Sequence, residues 1–230
     1  VHPALPVHAY THMTPPSTTK IPASHGDFGN QHTHGPEWFE KFSKKLESPE
    51  RLAKLGLETY VPFLVDQMPR AGAMADVCAG TGLLLKRIAA ASADRVTSLV
   101  AVDINDQCLA HLKTLSLDPM PMAVVKAEAE TPNLTPAHDV CVAVCLSSFH
   151  DITADTRVQY FKALAEAMPV GGRIVITDFD PSATAMGPPK HKRVSSEACV
   201  SLLTECGLSI VETKAEFPTD IWWTVVAVRK

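Results

Sequence analysis

The 230-residue chain has no window approaching 18 uninterrupted apolar residues, so no helical membrane span is expected. It has no basic excess: 21 Lys and Arg stand against 25 Asp and Glu, a formal charge of −4. That balance excludes a globally basic nucleic-acid binder, though not a local basic patch. There is no Cys-x-x-Cys pair and no Cys/His spacing of a zinc site. The six cysteines (Cys78, Cys108, Cys141, Cys145, Cys199, Cys206) fall at unpatterned spacings, mostly inside apolar runs. Such placement suits free thiols in a reducing compartment, and a cytoplasmic location is the expectation, with organellar import left open. Cys141 and Cys145 are expected to share one face of a strand roughly 13 Å apart, too far to chelate one ion. No internal repeat is visible, and the oligomeric state is not legible.

No acidic residue precedes Asp27, and no apolar periodicity appears before residue 36. Residues 1–36 hold six of the ten histidines and six of the 18 prolines. This composition predicts a His/Pro-rich arm over residues 1–35 with little structure of its own. The arm lacks the basic and apolar regions of a secretory signal. It is rich in Ser and Thr but has none of the arginines of a transit peptide. His32 and His34 have no Cys or carboxylate at ligand spacing, so no metal site is expected.

What is present is a 46% hydrophobic composition in 24.8 kDa, enough for one α/β domain with modest decoration. Trp38, Phe39, Phe42 and Leu46 recur at helical spacing after Pro36. Ser48-Pro49-Glu50 reads as an N-cap with proline in the first turn, opening a second helical stretch through Leu52, Leu55, Tyr60 and Phe63 that bends at Pro62. Short apolar runs then appear at 74–77, 98–103, 123–126, 140–146 and 173–177, mostly separated by helical patterns. Near-continuous apolar strands alternating with helices predict a parallel sheet covered on both faces. The last two strands, 208–213 and 222–228, are joined by eight residues, too few for a crossover helix, so they should pair antiparallel. The prediction is a doubly wound α/β fold with seven strands.

Three acidic elements sit at strand ends. Asp76-Val-Cys-Ala-Gly80-Thr-Gly82 closes the first strand and opens a helix, a turn whose glycines let backbone approach a ligand. It is not a dinucleotide fingerprint, because Leu85 stands where the third glycine would be. Asp103 closes the second strand 21 residues after Gly82, where a carboxylate accepts ribose hydroxyls. Ala127-Glu-Ala-Glu130 closes the third; Glu128 is placed either to accept from an adenine amine or to be a solvated surface residue.

Together these motifs resemble the class I S-adenosylmethionine-dependent methyltransferases, in the small-molecule branch that includes ubiquinone/menaquinone-biosynthesis type enzymes. Asp76 to Gly82 is similar to that family's acidic-x-Gly-x-Gly-x-Gly loop, with Cys78 in place of the first glycine. Val102-Asp103-Ile104 resembles its ribose-binding strand end, and Ala127 to Glu130 its Gly-Asp-Ala-Glu element, with Glu128 for Asp. The segments 140–150 and Met168 to Asp178 resemble its fourth-strand segment and its Leu-Lys-Pro-Gly-Gly run. The resemblance covers residues 37–230 and implies a seven-stranded Rossmann-like sheet, mostly parallel, with an antiparallel last strand between the fifth and sixth. It implies an N-terminal helical lid over 36–70 and a cofactor domain over 71–230. S-adenosylmethionine is the implied cofactor, with S-adenosylhomocysteine as product and a small-molecule methyl acceptor as partner. The implied cofactor residues are Asp76, Ala79, Gly80, Gly82, Asp103, Ile104, Glu128, Ala129 and Cys145.

Methyl transfer to a protic acceptor needs alignment, exclusion of water and a proton acceptor. His150 is the base candidate; it reads equally as a histidine packed beside the cofactor. Asp151 is placed to orient His150 or to cap the next helix. Trp38, Phe39, Phe42 and Met186 are the substrate and lid candidates, with core packing as the plain alternative for the helix. Lys190-His-Lys-Arg193 reads as a receptor for an anion or as a solvated loop. An arsenite-methylating relative would need converging thiolates, and only Cys78 and Cys145 are placed to meet. A cofactor-binding protein that does not transfer methyl groups is the alternative function.

Overall fold

Six buried residues in a row make the first strand, β1 (Gly72–Val77), a strand that only a fully covered sheet can hold. The computed structural model describes residues 36–91, 94–184 and 186–230. The predicted arm, with His32 and His34, lies outside the described residues. Beside β1 stand β2 (Val96–Asp103), β3 (Met122–Lys126), β4 (Val140–Leu146), β5 (Arg173–Phe179), β6 (Ser209–Ala215) and β7 (Trp222–Val228). The described residues form one seven-stranded sheet in the order β3-β2-β1-β4-β5-β7-β6. The first five strands pair in parallel, and β7 runs antiparallel between β5 and β6. The seven helices described are α1 (Pro36–Leu46), α2 (Pro49–Leu55), α3 (Leu57–Asp66), α4 (Leu83–Ala91), α5 (Asp106–Leu112), α6 (Arg157–Ala167) and α7 (Ser196–Glu205).

Strand alternation divides the core in two. Ala73, Ala75 and Val77 of β1 pack with Tyr160, Phe161 and Leu164 of α6 and Cys199 and Leu203 of α7. Met74 packs on the other face with Tyr60 and Leu64 of α3 and Leu85 and Ile88 of α4. Cys141 joins this second face, whereas Cys145 lies in the first. The expectation that they share a face fails because β4 carries a bulge: Ala73 pairs with Val140 but Met74 with Val142, so Cys141 is the extra residue. All six cysteines are free thiols.

The predicted second helical stretch is two helices. It breaks at Gly56, and Pro62 lies exposed inside α3. Gly56 caps α2 with a left-handed φ of +59°, and a Cβ there would lie 2.9 Å from the Thr219 methyl. The end of α2 is fastened by the Trp222 indole and the Thr219 hydroxyl, both donating to the Lys54 carbonyl, at 2.7 and 2.9 Å. α3 is a core helix rather than part of a lid. Its buried Tyr60 hydroxyl lies 2.8 Å from Thr177 Oγ1, which lies 2.8 Å from Thr224 Oγ1, linking α3 to β5 and β7. α1 buries no residue fully and, with α2, lies over the carboxyl ends of the strands.

Candidate functional site

The chain order reverses beside β1: β2 and β3 lie on one side, β4 and β5 on the other. Loops leaving β1 and β4 therefore diverge, opening a crevice at the carboxyl edge where ligands of this architecture bind. The loop after β1 holds Cys78, Gly80 and Gly82 at left-handed φ values of +69°, +55° and +69°. Cys78 thus adopts a conformation that favours glycine, at a cost on the order of 1 kcal/mol. Gly82 is required by packing as well, since a Cβ would lie 2.8 Å from the side chains of Leu112 and Leu115. Ala79 is buried, its N–H donating to the Val102 carbonyl at 3.0 Å.

Asp103 meets this loop directly. Its Oδ2 accepts from the Gly80 N–H and its Oδ1 from the Asn105 N–H, both at 2.8 Å. A carboxylate offers about four lone-pair positions, so acceptor capacity remains for hydroxyls. Burial raises the Asp103 pKa, opposed by the backbone donors of Asn105, Gly80 and Ile104. Asp76 is 4% exposed, and no hydrogen-bond donor reaches its carboxyl among the described residues. Burial, with the Asp103 charge adding to it, pushes its pKa up to about 8. The Thr81 hydroxyl is likewise buried without a partner among the described residues.

The Ala127 N–H donates to the Asp103 carbonyl at 3.0 Å, which brings the turn after β3 to the same edge. Glu128 there is exposed, and Ala129 and Ile104 are half-buried. Cys145 does not line this crevice. It is fully buried below the glycine turn, where its thiol meets the Cys78 thiol and the Tyr160 hydroxyl.

β5 runs two residues past its predicted end, which puts Asp178 inside the strand. Asp178 is fully buried; its Oδ2 accepts from the His150 N–H at 2.7 Å and its Oδ1 lies 2.8 Å from His150 Nδ1. A carboxylate only accepts, so Nδ1 carries the hydrogen and Nε2 is left as the basic atom. Nε2 lies 3.4 Å from Asp151 Oδ2, and Asp151 Oδ1 lies 3.7 Å from Lys192 Nζ. Burial lowers the His150 pKa, but the hydrogen bond and charge of Asp178, then the charge of Asp151, outweigh it, and the net shift is upward. Asp151 caps nothing in α6, whose N-cap is Thr156. The principal orienting group is Asp178, which sequence reasoning missed because nothing marks an Asp in an apolar run as the partner of a histidine 28 residues away.

Above the glycine turn lies α1. Trp38 and Phe42 stack with centroids 4.7 Å apart, and the Phe42 ring is 3.7 Å from where a Gly80 Cβ would stand. Phe39 turns to His111 of α5, at 5.2 Å. Met186 is half-buried against the core around Phe179, across the crevice. The basic loop does not present Arg193 to an anion: its guanidinium donates to the carbonyls of Asp180, Ala183, Met186 and Pro188 and so holds the loop together. Among the described residues no group of three His, Cys, Asp or Glu converges as a metal site, and no helix is long and apolar enough to cross a membrane.

No protein-family model and no curated protein matches the chain. Solved structures do match in shape. A SAM-dependent methyltransferase from Aquifex aeolicus superposes with a TM-score of 0.70 at 18% identity, covering 86% of this chain and 100% of the other. The fold is that of the S-adenosylmethionine-dependent methyltransferases. A second such enzyme, from Clostridium acetobutylicum, gives 0.63 at 14% identity over 83% of this chain and 98% of its own. The [4+2]-cyclase SpnF gives 0.57 at 11% identity over 74% and 80%. In that methyltransferase fold, the glycine turn, Asp103 and the His150–Asp178 pair stand at the switch point.

Proposed function

We propose that the chain binds S-adenosylmethionine and transfers its methyl group to a small molecule. The observation that carries this is the joining of Asp103 to the Gly80 N–H, beside a buried Asp76 without a donor. The residues suit the cofactor: Asp103 retains lone pairs for ribose hydroxyls, and Asp76 is a carboxyl lacking the cationic donor that an amino-acid ammonium would provide. Ala79, Gly80 and Gly82 form the backbone floor, Ile104 and Ala129 flank the base, and Glu128 is the acceptor for its exocyclic amine. Bound, S-adenosylmethionine supplies an electrophilic methyl group for in-line attack by an O, N, C or S atom, leaving S-adenosylhomocysteine. Phe42 and Trp38 exclude water from the mouth, with Phe39 bracing the helix on α5. Met186 and the Arg193-bound loop wall the acceptor side. His150 takes the proton of a protic acceptor at Nε2, and Asp178 positions it.

A small acceptor is supported by the aromatic helix lying close on the turn, and the charge balance argues against nucleic acid. Six free thiols support a reducing, cytoplasmic setting. The test is calorimetric titration of the full chain with S-adenosylhomocysteine. Micromolar binding is expected, and Asp103→Ala should weaken it at least about 100-fold, the value of two lost hydrogen bonds to a charged acceptor. No measurable binding by the intact chain would overturn the assignment. The cyclase that shares the fold favours a second reading, cofactor binding without methyl transfer. Labelled S-adenosylmethionine incubated with an acceptor panel separates the two, since the second predicts binding and no transferred label.

A further inference from the structure

Arg51, on α2, differs from the other arginines of the chain in what it touches. Arg70 and Arg87 pair with carboxylates, Arg173 with the Gln67 amide, and Arg95, Arg157, Arg193 and Arg229 with backbone carbonyls. Among the described residues Arg51 has only a hydroxyl: its Nη2 donates to Ser147 Oγ at 3.2 Å. Its Nε is buried with no acceptor among the described residues, and no acidic side chain pairs with it there. Burial alone lowers its pKa, so the surroundings disfavour the charge rather than compensate it. The guanidinium is held in place all the same. It lies 5.6 Å from the Phe179 centroid, and Ser147, its partner, sits at a left-handed φ of +63° immediately after β4.

The missing partner is an anion. A half-buried guanidinium with open N–H donors beside a crevice is the usual receptor for a planar, bidentate carboxylate. Its neighbours indicate which molecule brings that carboxylate. Ser147 follows β4 and Phe179 ends β5, on the far side of the switch point from Asp103, and the His150 ring lies 5.9 Å from Phe179. We propose that Arg51 binds a carboxylate of the methyl acceptor, so that the substrate is a small acid with its carboxylate at Arg51 and its methyl-accepting group toward His150. This rests on the methyltransferase reading given above and names its substrate class.

The experiment uses the full chain saturated with S-adenosylhomocysteine and titrated with matched pairs: benzoate and benzamide, 4-hydroxybenzoate and 4-hydroxybenzamide, and 3-hydroxybutyrate and its amide. The acids should bind at least about tenfold more tightly than the amides, a typical value for one charge-assisted bond. Arg51→Met should erase that preference, and Arg51→Lys should keep part of it. Both variants should bind S-adenosylhomocysteine within about twofold of the parent, which also shows that they fold. Equal binding of acids and amides by the parent, or no binding of any acid at millimolar concentration, overturns the proposal. So does an Arg51→Met variant that loses S-adenosylhomocysteine affinity yet keeps its affinity for methylthioadenosine, which lacks the amino-acid carboxylate; Arg51 would then serve the cofactor. If Arg51→Met does not fold, Arg51→Lys and the acid-to-amide ratio of the parent still decide. Failure of the parent to bind S-adenosylhomocysteine is a separate result and strikes the methyltransferase reading itself.

Discussion

Replacing Asp76 with asparagine should stabilise the ligand-free protein at neutral and alkaline pH while removing most of its affinity for S-adenosylhomocysteine. The carboxyl is 4% exposed, and burial first, then the Asp103 charge, lift its pKa from 3.8 to about 8. In the unfolded chain it ionises near the ordinary value of about 3.9. Between those two values the native state holds a proton that the unfolded state has released, so stability falls as pH rises through the window and levels off above it. At about 1.4 kcal/mol per unit, the three units from pH 5 to pH 8 are worth up to about 4 kcal/mol. Asparagine does not titrate, so the difference between Asp76→Asn and the parent should widen by up to that amount over the same range. For a chain of this length each kcal/mol moves the melting midpoint by about 2–4 °C, so the gap between the two curves should grow by several degrees. Taking the difference cancels titrations common to both proteins. An ammonium bound beside Asp76 favours its ionised form, so the parent's affinity for S-adenosylhomocysteine should climb from pH 6 to pH 8, and the variant's should not. A stability difference that stays constant with pH, or that narrows, would refute the reasoning.

Asp178→Asn removes the group that raises the His150 pKa most after burial has lowered it, so the imidazole should titrate at lower pH. Since His150 must be neutral to accept a proton, the acid limb of the kcat/KM profile should move to lower pH as the maximal rate falls; an unmoved limb would mean that another group is the base. Tyr60→Phe deletes the hydroxyl that ties α3 to Thr177 and Thr224, and denaturant unfolding should show a loss of about 1 kcal/mol with S-adenosylhomocysteine binding unchanged.

Much of this architecture is legible because its signals are local. The 74–77, 140–146 and 222–228 runs are apolar on both faces, and only a covered sheet satisfies that pattern. Gly80, Gly82 and Asp103 are readable as one unit because a glycine turn and a strand-end carboxylate have a fixed separation in this topology. The misreadings share a different cause. Cys145 reads as a crevice residue until the inserted Cys141 and the strand's alternation turn its thiol into the core. The break at Gly56 depends on Thr219, far along the chain, occupying the space a side chain would need. Asp178 and Arg51 gain their roles from pairing across the sheet and from a helix crossing over it, which no spacing rule encodes.

The crevice also gathers features that work against the stability of the free protein. Cys78 and Ser147 hold left-handed φ values there without being glycine. Asp76 has no donor, Arg51 has no anion and the Thr81 hydroxyl has no partner among the described residues. Each would cost on the order of 1–3 kcal/mol if nothing compensated it. The Tyr60–Thr177–Thr224 chain of hydroxyls shows the opposite arrangement, each buried group having a neighbour. Unmet polar groups of opposite sign on the two sides of one crevice are what two ligands would complete, the cofactor with its ammonium and hydroxyls on the Asp76 and Asp103 side and an acidic acceptor with its carboxylate at Arg51. Binding at one hundred times the dissociation constant stabilises a native state by about 2.7 kcal/mol. If the gain from S-adenosylhomocysteine is drawn from the Asp76 and Asp103 side, protection of crevice amides against hydrogen exchange should rise on its binding, at Gly80 and Thr81 first, and the already satisfied β5–β7 ladder should change least.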